Sequence, residues 1–77
     1  MTTSRLLMIE DDARLAQMVQ AYLAQSGFEV THAADGEAGL AQLPLVQPEL
    51  VILDLMMSGI DGLEVCRRIR ALNNEQA

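Results

Sequence analysis

Lysine is missing from this chain: all five basic residues are arginines, set against eleven acidic ones for a net charge of −6. Without a lysine there is no candidate for the phosphate-gripping side chain of a P-loop nucleotide enzyme. Aromatic residues are almost as scarce, with Tyr22 and Phe28 alone, and an acidic chain so poor in stacking groups is unsuited to direct nucleic-acid binding. A single cysteine, Cys66, excludes an internal disulfide and any multi-cysteine zinc site. It sits among Leu63, Val65 and Ile69 in a helical pattern, so it reads as a small packed hydrophobe and not as a redox group. Long apolar runs are absent as well. Leu6–Ile9 and Leu50–Leu53 are far too short to cross a bilayer. The first residues, Met1-Thr2-Thr3-Ser4-Arg5, lack the pattern of a signal peptide, and the expected location is cytoplasmic.

What is present is an ordinary globular composition, 51% hydrophobic and 21% charged over 77 residues, enough for one small domain or part of one. Leu6-Leu7-Met8-Ile9 is an unbroken apolar run that ends in Glu10-Asp11-Asp12. Such a run suits a parallel strand buried on both faces. From Ala13 to Gln25, Leu15, Val19, Tyr22 and Leu23 share one helical face, with Asp12 as N-cap candidate and Gly27 as stop signal. Phe28 to Ala33 alternates as a strand, with Phe28, Val30 and His32 on one side. A shorter helix is expected over Glu37 to Leu43, ended by Pro44. Glu49 to Asp54 follows as a third strand, then a Gly-containing loop and a third helix carrying Val65, Ile69 and Leu72 in register. The polar tail, Asn73 to Ala77, is expected to fray. The order β-α-β-α-β-α predicts a parallel sheet with helices on both faces.

Acidic residues therefore follow the first strand (Glu10, Asp11, Asp12) and end the third (Asp54). In a parallel sheet both sets lie at the carboxyl edge, where open α/β folds bind ligands. If the first and third strands are neighbours, four carboxylates face one crevice. Two like charges about 4 Å apart repel by roughly 4 kcal/mol at an effective dielectric near 20. Protonation, hydration or a hard divalent cation relieves that crowding. Plainer readings stand beside this one: Asp12 as a helix cap only, Asp54 as a turn aspartate, Glu10 with Asp11 as a solvated patch.

The residues themselves resemble a known family. Leu6 to Asp12 is similar to the first strand and acidic pair of bacterial response-regulator receivers. Ala33-Ala34-Asp35-Gly36-Glu37-Ala38-Gly39-Leu40 and Ile52 to Arg70 resemble the family's second strand end, phosphorylation loop and following helix. The wording is closest to receivers of the OmpR/PhoB-like class, which precede a winged-helix DNA-binding domain. The resemblance implies a flavodoxin-like α/β fold with strand order 2-1-3 for these three βα units. It also implies a phosphoacceptor module, not an enzyme with turnover on a separate substrate. Asp54 would take a phosphoryl group from a sensor histidine kinase with Mg²⁺. Asp11 would ligate the metal together with Asp54, Met56 would lend its main-chain carbonyl, and Glu10 would act through water. His32 has no role in this picture and reads as a packed or partly exposed strand residue.

Two departures matter. Ser58 stands where the family usually has proline before the loop glycine. Receivers also continue through two further βα units, which bring a Ser or Thr that senses the phosphoryl group and a Lys that pairs with it. Residues 1–77 thus read as a partial receiver whose own phosphorylation would be impaired. Its apolar third strand would be completed by a second copy or another chain. Two alternatives carry different expectations: an unphosphorylated interaction module, and an aspartate-nucleophile phosphohydrolase of the haloacid-dehalogenase kind. The latter normally has a second Asp where this chain has Met56.

Overall fold

The computed structural model describes residues 4–54 and 62–76, with side chains described through residue 72. Six elements alternate along it: β1 (Ser4–Ile9), α1 (Ala13–Gln25), β2 (Phe28–Ala33), α2 (Gly36–Val46), β3 (Leu50–Leu53) and α3 (Gly62–Gln76). The three strands are parallel in the order β2-β1-β3. Ser4 is opposite Phe28, and Leu6 is opposite both Val30 and Leu50.

β1 is central because its side chains are apolar on both faces. Leu6, Leu7, Met8 and Ile9 are all buried. By alternation Leu7 and Ile9 point to one face. There they join Ala33 and Val65 in a core that Ala38, Leu40 and Leu43 of α2, Val51 and Leu53 of β3, and Ile69 of α3 surround. Leu6 and Met8 point to the other face, and α1 packs along β2, with Ala16 buried and the Gln20 amide donating to the Val30 carbonyl at 2.7 Å.

Three expectations change on contact with the structure. The buried face of α1 is not centred on Leu15 and Tyr22, which are 44% and 69% exposed. The helix turns Ala16 inward, with Val19, Gln20 and Leu23 half-buried, because the smallest side chain allows the closest approach to the sheet. Leu15, Met18 and Tyr22 are left as an outward stripe. Second, α2 runs three residues beyond Leu43, with Pro44 inside its last turn. Proline there removes one N–H near the end of the helix, where few further bonds depend on it. The terminal carbonyls have other partners: Gln47 adopts a left-handed cap (φ 50°) and donates to Leu43, and the Arg5 guanidinium donates to Val46 and Gln47 carbonyls at 3.0 and 3.2 Å. Third, α3 remains helical to Gln76 instead of fraying at Asn73, and Leu72 is 40% exposed.

Candidate functional site

Parallel pairing brings the ends of β1 and β3 level. The Asp54 N–H donates to the Ile9 carbonyl at 3.1 Å, continuing the β1–β3 ladder by one bond. Glu10, the next residue along β1, donates its N–H to the Ala33 carbonyl of β2 at 3.0 Å. Asp54 is therefore tied to one side of β1's exit and Glu10 to the other.

The side chains converge from these anchors. One carboxylate oxygen from each of Glu10, Asp11 and Asp54 lies within 4.8 Å of the others. Glu10 is buried, Asp54 half-buried and Asp11 exposed. The cluster thus runs from the protein interior to solvent. Asp12 does not join it. Its Oδ1 accepts the N–H groups of Arg14 and Leu15, both at 3.1 Å, which is the N-cap of α1. The reading of Asp12 as a cap is the one realised.

Two opposing influences act on Glu10. The Asp12 N–H, 3.0 Å from its Oε2, is the largest single one and favours the carboxylate. Desolvation, the charge of Asp54 and side-chain hydrogen bonding with Asp54 and Asp11 together outweigh it. Glu10 is held above its ordinary value of 4.5. Such a site favours whatever cancels its negative charge.

An all-oxygen, anionic donor set of this kind suits Mg²⁺ and not a soft transition metal. Met56, whose main-chain carbonyl is the remaining expected ligand, lies outside the described residues, as do Ser58 and Asp61. Cys66 is a half-buried free thiol on α3, among the residues of a groove between α2, β3 and α3. His32 lies next to the cluster: its ring Nε2 is 2.7 Å from the main-chain carbonyl of Glu10. That contact joins residues 22 apart in sequence and has no local signature.

Comparison with known proteins agrees with this architecture. A family model described as "Response regulator receiver domain" matches residues 6–77. The transcriptional regulatory protein AfsQ1 of Streptomyces coelicolor is 49% identical over 65 residues, 84% of this chain and 29% of that protein. The DNA-binding response regulator MtrA of Mycobacterium tuberculosis is 42% identical over 67 residues, 87% of this chain and 29% of its own length. The chain thus spans under a third of the length of these curated relatives. Among solved structures, Vibrio cholerae chemotaxis protein CheY4 superposes with a TM-score of 0.89 at 29% identity, covering 94% of this chain and 60% of that one. Thermotoga maritima response regulator TrrA, in complex with Mg²⁺-BeF, gives 0.88 at 33% identity, covering 94% and 63%.

Proposed function

Because this chain belongs to the response regulator receiver domain family, matched over residues 6–77, we propose that it is a phosphoacceptor signalling module with Asp54 as the acceptor. The supporting observation is the convergence of Asp54 with Glu10 and Asp11 at the carboxyl end of two adjacent parallel strands.

In this reading a carboxylate oxygen of Asp54 attacks the phosphorus of a phosphohistidine on a sensor kinase. An O–P bond forms, the P–N bond to the donor imidazole breaks, and the freed ring nitrogen takes up a proton. The product is an acyl phosphate on Asp54. Asp54 is half-buried at a strand end, where the ladder bond from its own N–H to Ile9 anchors its backbone beside β1. Three carboxylates would repel the incoming phosphoryl oxygens. Bound Mg²⁺ supplies the positive charge that neutralises them. Asp11 and Asp54 would hold it directly, with the Met56 main-chain carbonyl as a further proposed ligand. Glu10 already accepts the Asp12 N–H, which suits a role through water. TrrA, whose structure is described with Mg²⁺-BeF, supports carrying the cation over to this chain.

The partner is a sensor histidine kinase. AfsQ1 is a transcriptional regulatory protein and MtrA a DNA-binding response regulator, both far longer than this chain, whose residues 6–77 align with the receiver domain. Transcriptional output is accordingly assigned to none of those residues.

Incubation with acetyl phosphate and Mg²⁺ tests the reading by intact mass. A single added phosphoryl group is expected, forming slowly because no lysine is present to pair with it, and lost in Asp54→Asn or on chelation. Labelling that survives Asp54→Asn identifies a different acceptor and overturns it.

A further inference from the structure

Glu10 is gripped at three atoms where the chain leaves the sheet. Its N–H donates to Ala33, its carboxylate accepts the Asp12 N–H, and its carbonyl oxygen lies 2.7 Å from Nε2 of His32. A carbonyl oxygen can only accept, so Nε2 carries the proton in this contact. His32 pairs with Met8 in the β1–β2 ladder, and its half-buried ring reaches past the strand end to Glu10. The Glu10 carbonyl belongs to the planar peptide group that continues into the Asp11 backbone. Fixing that oxygen fixes the plane, and with it the direction in which Asp11 departs from the backbone.

We propose that His32 is a positioning residue, whose Nε2–H bond to the Glu10 carbonyl orients the Glu10–Asp11 peptide so that the Asp11 carboxylate is aimed at Asp54, and that this sets the cation affinity of the acidic site. The inference rests on the reading of Glu10, Asp11 and Asp54 as a cation site. It adds a residue outside the carboxylate set, acting on backbone geometry and not on charge. Outer groups that orient ligands commonly alter metal affinity by about 10-fold when removed.

Two measurements on the metal-free chain test the clamp itself. Nitrogen NMR of the His32 ring is expected to find Nε2 protonated; a ring protonated at Nδ1 alone overturns the proposal. Amide hydrogen exchange at Asp12, whose N–H the Glu10 carboxylate holds, is expected to quicken in His32→Leu, which keeps a packed apolar side chain but has no donor. Unchanged exchange overturns it. A third measurement addresses affinity, by titrating Mg²⁺ and following backbone amides of residues 10–12 and 54. His32→Leu is expected to bind about 10-fold more weakly, and His32→Gln, whose amide can donate at similar reach, to recover most of the loss. Equal affinity in all three proteins overturns the inference while leaving the cation site intact. No response to Mg²⁺ in the wild-type chain instead removes the cation site and the affinity claim together, and tautomer and exchange then decide the clamp alone. Should His32→Leu fail to fold, His32→Val, a strand-favouring side chain that likewise has no donor, takes its place in both measurements.

Discussion

At the scale of single residues, the site is governed by how its carboxylates divide their partners. Asp12 and Asp11 are neighbours of the same chemistry, yet Asp12 is engaged by two backbone N–H groups and Asp11 is not. Spacing along the sequence places both after a strand and cannot separate them, because the cap is decided by which carboxylate reaches the first turn of α1. Glu10 differs again, since burial and its neighbours raise it above 4.5. A group held higher in the folded state than in the unfolded one contributes stability below the unfolded value and loses it as pH rises through the folded value. In metal-free buffer, then, the contribution of Glu10 to stability should fall as pH rises above its ordinary value of 4.5. Glu10→Gln keeps the acceptor for the Asp12 N–H but removes the charge. Its stability relative to wild type, from denaturant unfolding across that window, should rise with pH, whereas a constant difference would contradict the assignment. The place of His32 as a half-buried strand residue was legible, but its contact with Glu10 was not. Its partner is the main-chain carbonyl just past the end of β1, and only the assembled sheet brings the two together.

Among the elements, those whose ends carry their own chemistry were readable in advance. Asp12 and Gly27 bracket α1 at Ala13–Gln25, with Gly27 in a left-handed conformation (φ 93°) closing on Ala24. The unbroken apolar run of β1 likewise announces a strand covered on both faces. The end of α2 was not readable, because the donor to its last carbonyl comes from Arg5, 41 residues away, and Pro44 is taken into the last turn. Nor was the rotation of α1, since Leu15, Val19, Tyr22 and Leu23 form as apolar a face as the one around Ala16 that packs. Small residues decide such approaches. A Cβ on Gly39 of α2 would lie 2.6 Å from Cγ1 of Ile9, a fully buried side chain with no room to retreat. Overpacking of this kind costs about 1–3 kcal/mol, against a helix-propensity gain of about 1 kcal/mol for alanine over glycine. Gly39→Ala should therefore lower stability by about 1 kcal/mol, visible as a lower denaturation midpoint with an unchanged slope; a stabilised variant would mean that α2 lies further from β1.

For the molecule as a whole, the order β2-β1-β3 leaves β3 bonded to a strand on one side only among the described residues, with Leu50 59% exposed. Beside it runs the groove whose walls include Leu43, Leu53 and Ile69. An apolar edge of this kind recruits further strands. Sedimentation of the 77-residue chain at micromolar concentration should reveal self-association, and a compact monomer under those conditions would count against it. The proposed cation site would be a whole-molecule property too. If Mg²⁺ binds only the folded chain, a concentration 100 times its dissociation constant should add about 2.7 kcal/mol to the unfolding free energy. Chemical denaturation with and without the metal measures this, and identical curves at that concentration would deny a site confined to the native state. The central position of β1 gives this coupling a kinetic side. Glu10 and Asp11 leave one strand and Asp54 leaves another that arrives some forty residues later in the chain. Until β3 docks, the carboxylates are strangers and cannot chelate together. Metal capture would then mark the last strand's arrival, and a rapid-mixing experiment could time that event from the ion's uptake.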